Sequence, residues 1–165
     1  MRVLIGFVLG LIVAGAVAFG YFLLGMAPVA TQAAPMPFER YLANKALHAE
    51  IQRQMPKDVP IQPTEDNLVA GAKLYRENCA VCHGLPGQEV SAIGRGEFPK
   101  PPSLFKGKGV TDDPPGETFW KVKNGIRLTG MPGFGASYTD TQLWQVSLML
   151  AGADKLPERA RAELK

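Results

Sequence analysis

Two cysteines three positions apart, with a histidine directly after the second, constrain this chain more than any other feature: Cys79-Ala80-Val81-Cys82-His83. Thiols at that spacing can each add to one vinyl group of a haem while the next residue's imidazole reaches the iron, so the stretch reads as a covalent haem attachment site. These are the only cysteines in 165 residues, and no disulfide framework competes for them. A structural zinc site needs four ligands, usually Cys and His, and beside the two thiols the chain offers only His83 and the distant His48. A thioredoxin-like dithiol belongs where a strand feeds a helix in a βαβ unit, an alternation that is missing here.

The N-terminus sets where such a motif is displayed. No charged residue lies between Arg2 and Glu39, and Val3 to Leu24 is almost wholly apolar. As a helix this run rises about 33 Å, against a hydrocarbon core of about 30 Å. Residues 1–25 therefore read as a transmembrane anchor. A cleaved signal peptide has the same outline, but the apolar run exceeds a usual h-region, and Pro28 and Pro35 crowd the small-residue positions at Ala30 and Ala34. Cleavage after Ala33 is the remaining alternative. Arg2 precedes the run and the next basic residue is Arg40, which puts the N-terminus in the cytoplasm and the rest outside. Gly6, Gly10, Ala14 and Ala18 form a small-residue stripe that would admit a second transmembrane helix. A net charge of +3 is too small to argue for nucleic acid as a partner.

Residues 26–63 read as a linker. Its start is rich in Ala and Pro without periodicity, while helix formers and the Leu47, Ile51, Met55 spacing predict a helix near 38–55. Pro56 closes it and Pro60 and Pro63 keep the next stretch extended. The helix either docks on a partner or on the following domain, or it is a spacer; His48 on it is a surface residue rather than a ligand.

Residues 64–156 form the domain proper. Thr64 can cap a helix carrying Glu65 and Asp66 in its first turn and Leu68, Gly71, Ala72 and Tyr75 on one face. A Gly- and Pro-rich loop follows Gly84. Asp113 can cap a short helix opened by Pro114 and Pro115 and stopped by Gly125. Thr139 and Gln142 make a capping box before an apolar helix running to Gly152. Residues 157–165 are a charged tail expected to fray.

With Gly71 and Tyr75 eight and four residues before Cys79, the attachment motif, and Met131 between Gly130 and Pro132, the chain resembles the class I c-type cytochromes. The resemblance covers about Thr64 to Leu156. It implies an all-α fold of three to four helices around one covalently bound haem c, here joined to an N-terminal transmembrane helix and a helical linker. It implies that Gly71 and Tyr75 lie where the first helix crosses the last, with Val146 and Met149 as their counterparts. It implies His83 and Met131 as the two iron ligands, a carbonyl from Pro102 (or Pro101) on the His83 ring, and Leu104 packed on the haem. Trp120 and Arg127 are candidates for the haem propionates. Attachment of such a haem in bacteria takes place on the outer side of the cytoplasmic membrane.

An iron closed by His and Met leaves no position for substrate, so the reading is outer-sphere electron transfer rather than enzymatic catalysis. The expected partners are redox proteins of a respiratory or related chain. Arg95, Lys100, Lys106, Lys108, Lys121, Lys123 and Arg127 outnumber Glu97, Asp112, Asp113 and Glu117, which suits a basic rim against an acidic partner. Two alternatives stay open: a fixed cytochrome subunit of a larger oxidoreductase, and a five-coordinate sensor or enzyme in which Met131 does not bind. Two-haem peroxidases are excluded, since one attachment motif is present.

Overall fold

The computed structural model describes residues 1–105 and 111–165; Lys106 and Lys108 of the expected basic rim lie outside the described residues. Eight helices and no strand occur among the described residues: α1 (Arg2–Leu23), α2 (Glu39–Gln54), α3 (Glu65–Asn78), α4 (Ala80–His83), α5 (Ala92–Gly96), α6 (Pro115–Asn124), α7 (Asp140–Ala151) and α8 (Glu158–Ala162). The chain divides into two compact units, Met1–Leu42 and Ala43–Lys165.

In the first unit α1 is almost wholly apolar after Arg2, with a mean hydropathy of 2.6 over its best window, and buries none of it. One long helix that keeps its apolar surface outward has the length and composition to cross a membrane.

The second unit is built on the crossing of α3 and α7. Each is started by its own side chains. Thr64 Oγ1 accepts from Asn67 N at 3.3 Å, and Thr139 and Gln142 satisfy each other's backbone donors in a full capping box. The crossing is close because Gly71 has no side chain: a Cβ there would stand 2.6 Å from the Gln145 carbonyl carbon and 3.0 Å from Met149 Cβ. Around it Ala72, Tyr75, Val146, Met149 and Leu150 form the principal core. A second cluster joins α6 to α7, where Phe119 stacks on Trp144 with ring centroids 4.2 Å apart. Gly125 ends α6 at φ 70°, and a Cβ there would lie 2.5 Å from Gly133 N. Only glycine serves both demands.

Three details differ from expectation, and a fourth selects one of the alternatives left open. Asp113 does not cap α6; the helix begins behind Pro114 without a side-chain cap, and the Asp113 carboxylate sits 3.5 Å from Lys121 Nζ, which also meets the buried Glu117 at 2.6 Å. The Gly- and Pro-rich loop contains the short α5, opened by Ser91 Oγ accepting from Gly94 N at 3.2 Å. The tail does not fray. Ala160 and Leu164 are buried in the principal core, Arg76 Nη1 pairs with Glu163 at 3.0 Å, and Arg159 pairs with Asp66 at 3.2 Å. The apolar i, i+4 pair Ala160 and Leu164 within a charged segment outweighs its net polarity.

The fourth is the end of α2. Ile51 is 1% exposed, Gln54 Oε1 accepts from Trp120 Nε1 at 3.1 Å, and the Pro56 carbonyl presses against Gly116, where a Cβ would find its carbon 3.1 Å away. Val59 and Ile61 then pack on the Phe119 and Trp144 cluster. The last turn of α2 and the extended stretch after it thus belong to the second unit's packing. His48 is exposed, with its Nδ1 2.7 Å from the Asn44 carbonyl.

Candidate haem-attachment site

Cys79 is at once the C-cap of α3 and the N-cap of α4, its N–H donating to Tyr75 O at 2.8 Å. The single turn of α4 then carries Cys82 and His83, with His83 N donating to Cys79 O at 2.9 Å. Tyr75 fixes the exit from this turn: buried beneath it, its hydroxyl donates to Gly84 O at 2.7 Å. The motif is therefore anchored to the α3 and α7 core at both ends.

His83 Nδ1 lies 2.8 Å from the Pro102 carbonyl oxygen. A carbonyl only accepts, so Nδ1 carries the proton and Nε2 is left with its lone pair free. That is the tautomer a metal-ligating imidazole needs. Cys82 Sγ donates to Glu97 Oε1 at 2.9 Å. Burial pushes the Cys79 thiol up to about 12, with Cys82 nearby adding to it. Burial and then the Glu97 carboxylate push Cys82 up to about 11. A redox-active Cys-x-x-Cys pair shows the reverse, a thiol lowered by positive surroundings. Among the described residues no three His, Cys, Asp or Glu side chains gather as a metal cage.

Facing the motif is the loop after α6. Ile126 N donates to Met131 O at 3.1 Å and Met131 N donates to Thr129 Oγ1 at 3.1 Å, so the backbone on both sides of the methionine is held. Glu97 reaches this loop too: a Cβ on Gly130 would lie 2.6 Å from its carboxyl carbon.

Between the two lies a cavity of about 110 Å³, open on one side, with Cys79, Cys82, His83 and Met131 all on its wall together with Pro102 and Phe134. A second, much smaller recess of about 10 Å³ shares Cys79, Asn78, Val122 and Phe134 with it and is lined also by Leu143 and Val146. The lining is apolar apart from the two thiols, the imidazole and a few polar neighbours such as Asn78, Glu97 and Lys100. Two thiols on one wall, an imidazole in the ligating tautomer and a thioether on the same cavity fit a covalently held haem.

Three of the sequence candidates are not on the cavity wall. Leu104 packs on the principal core, beside Phe105, whose ring meets Tyr75 edge-on at 5.1 Å. Trp120 gives its N–H to Gln54, so a bond from it to a propionate would require that bond to break. Arg127 is exposed on the methionine loop. Conversely, Asn78 and Tyr138 carry no mark in the sequence, and Glu97 stands out there only as one acid of the rim, not as a residue of the site. Tyr138 donates to Asn78 Oδ1 at 2.9 Å, and a single acid, amide or phenol carries no local pattern that marks it. Leu128 is a further addition. It holds φ 60° and is 92% exposed at the tip of the methionine loop, where Thr129 N and Oγ1 both donate to Ile126 O.

Comparison with known proteins identifies the family. Residues 66–148, half of the chain, match the profile of cytochrome c oxidase, cbb3-type, subunit III. No curated protein matches the chain. Among solved structures, a chain of the reducing HAO-like protein complex of Kuenenia stuttgartiensis is 27% identical with a TM-score of 0.49, over 60% of this chain and 51% of that one. The chain thus spans about half the length of that solved relative. The matched segment runs from the first turn of α3 to within α7 and so takes in the attachment motif, the Pro102 loop and Met131. With the all-helical class I cytochrome c fold and the covalently bound haem c that goes with it, the chain belongs to the family of cbb3-type cytochrome c oxidase subunit III.

Proposed function

We propose that His83 and Met131 are the two axial ligands of a single haem c joined to Cys79 and Cys82, and that the domain relays single electrons between redox proteins on the outer face of the cytoplasmic membrane. The observation that carries this reading is the convergence of those four side chains on one cavity. When bound, the haem supplies a one-electron ferric/ferrous couple. The chain's own residues do the rest. Pro102 holds the His83 ring through Nδ1 and raises the basicity of Nε2. Met131 offers a thioether, which favours ferrous iron and so raises the reduction potential. Val122, Phe134, Leu143 and Val146 surround the site with apolar surface, which penalises the extra ferric charge and excludes water.

The α1 helix is proposed as a single-pass anchor, with Arg2 on the cytoplasmic side. Tethering keeps the domain near membrane partners, where a weak and mostly polar contact suffices for electron exchange. Arg95, Lys100 and Arg127 are exposed, and an acidic partner surface complements them. A second reading, a fixed subunit of a larger oxidase, is favoured by the family's own description as subunit III.

Carbon monoxide tests the ligation. The ferrous wild-type spectrum should shift little at neutral pH, and that of Met131→Ala should shift clearly. Equal, ready shifts in both would remove Met131 from the iron. Mild detergent extraction followed by gel filtration separates the two assignments of partner: a lone anchored cytochrome supports the relay, and stoichiometric co-purification with large subunits supports the fixed subunit.

A further inference from the structure

We infer that the first turn of α2 is a membrane-seating face, in which Phe38, Tyr41 and Leu42 insert into the headgroup and acyl boundary of the lipid bilayer. The inference rests on the proposed α1 anchor. Tyr41 and Leu42 lie in the first turn of α2 and Phe38 directly precedes it, so the three apolar side chains cluster at the start of the helix. All three are bare: Phe38 is 75% exposed, Tyr41 61% and Leu42 62%.

The backbone adds an independent reason. Phe38 holds φ 62°, a region bulky side chains rarely adopt, while its carbonyl starts the helix by accepting from Leu42 N at 2.9 Å. The chain is locked there by Glu39 Oε2, which accepts from Met36 N at 2.7 Å. A strained backbone that aims a phenyl ring into solvent gains nothing inside the protein, and such strain points to an external contact.

The bilayer is the occupant that the chain's own geometry favours. Fourteen residues lie between the end of α1 at Leu23 and Phe38, a maximum span of about 50 Å, so the face stays within that distance of the membrane. Tyr21 and Phe22, with rings packed edge to face at 5.6 Å, mark the end of α1 as aromatic residues mark a membrane interface. Arg40 and Lys45 flank the apolar face, the composition of a helix that lies on an anionic surface.

The test uses the full-length, haem-loaded protein carrying Tyr41→Trp in vesicles of phosphatidylcholine and phosphatidylglycerol, with and without bromine on the acyl chains. Emission from the new indole should fall by about half or more in brominated vesicles, with no such change in the parent protein, which has only Trp120 and Trp144. Adding Phe38→Ser and Leu42→Ser should abolish the quenching. Unquenched emission from protein that resists an alkaline wash would overturn the seating face while leaving the anchor intact. It would also be the result if the face meets a protein subunit instead. Release of the protein by the wash would remove the anchor, and the seating face with it. Quenching that persists after the serine substitutions would overturn the assignment to these three side chains.

Discussion

Gly71→Ala is the perturbation whose size the structure dictates most directly. The added methyl would sit 2.6 Å from the Gln145 carbonyl carbon, closer still to its oxygen, and 3.0 Å from Met149 Cβ. Ordinary contact is about 3.5 Å or more, so α3 and α7 must separate by on the order of 1 Å. That separation opens the core of Ala72, Tyr75, Val146 and Met149. Overpacking of this kind costs about 3 kcal/mol, the upper end of its usual range, because the obstacle is backbone and cannot rotate away. Alanine's better helix propensity returns about 1 kcal/mol, leaving a net loss of about 2 kcal/mol. For a unit of this size that lowers the melting temperature by roughly 8 °C. Thermal unfolding of the haem-loaded protein, followed by circular dichroism, measures it. The reasoning also predicts that Met149→Ala will not rescue the variant, since the nearest obstacle is the Gln145 carbonyl. A melting temperature at or above wild type, or full rescue by Met149→Ala, would refute the backbone-contact argument.

Other expectations follow from single residues. Leu164→Ala should cost about 2–5 kcal/mol in a chemical denaturation curve, because Leu164 is 3% exposed within the principal core; a frayed tail would give almost nothing. Leu128→Gly should stabilise by about 1 kcal/mol, since it relieves a left-handed backbone and loses a side chain that is 92% exposed; a raised melting midpoint with an unchanged haem spectrum is the expected record. Tyr75→Phe should cost about 1–3 kcal/mol at about pH 8 by leaving the Gly84 carbonyl without its donor. Burial holds the Tyr75 phenol well above its ordinary value. A raised folded value means that the stability it contributes is complete below about pH 10 and is lost as the pH climbs from there toward the folded value. The gap between wild type and Tyr75→Phe should therefore narrow from about pH 8 to about pH 11 in paired denaturation curves.

What could be read locally was read well where the cause is local. The capping box at Thr139 and Gln142, the Thr64 cap and the Gly125 stop depend on residues within one or two turns, and each is present. Asp113 had the right chemistry and position for a cap, yet its carboxylate faces Lys121 instead. A cation one to two turns along the helix competes for the same oxygen. Glu97 is the clearest omission. It gathers meaning only because the fold brings Cys82 Sγ to one of its oxygens and Gly130 against its carboxyl group.

The sequence by itself determined the chemistry of the motif and its surroundings: two thiols and an imidazole at thioether spacing, a methionine between Gly and Pro, and an apolar run long enough for a bilayer. These are covalent spacings and local preferences, carried by the chain whatever its conformation. Tertiary structure decided which residues share the cavity and which do not. It tied Pro102 rather than Pro101 to the His83 ring, turned Trp120 to Gln54, drew Ile51 and Leu164 from segments that look like linker and tail into buried packing, and left Leu128 and Phe38 bare on strained backbone. Each of these depends on contacts between residues far apart in the chain. Such contacts are selected by the total apolar area the fold can bury, and no short window of sequence contains that quantity.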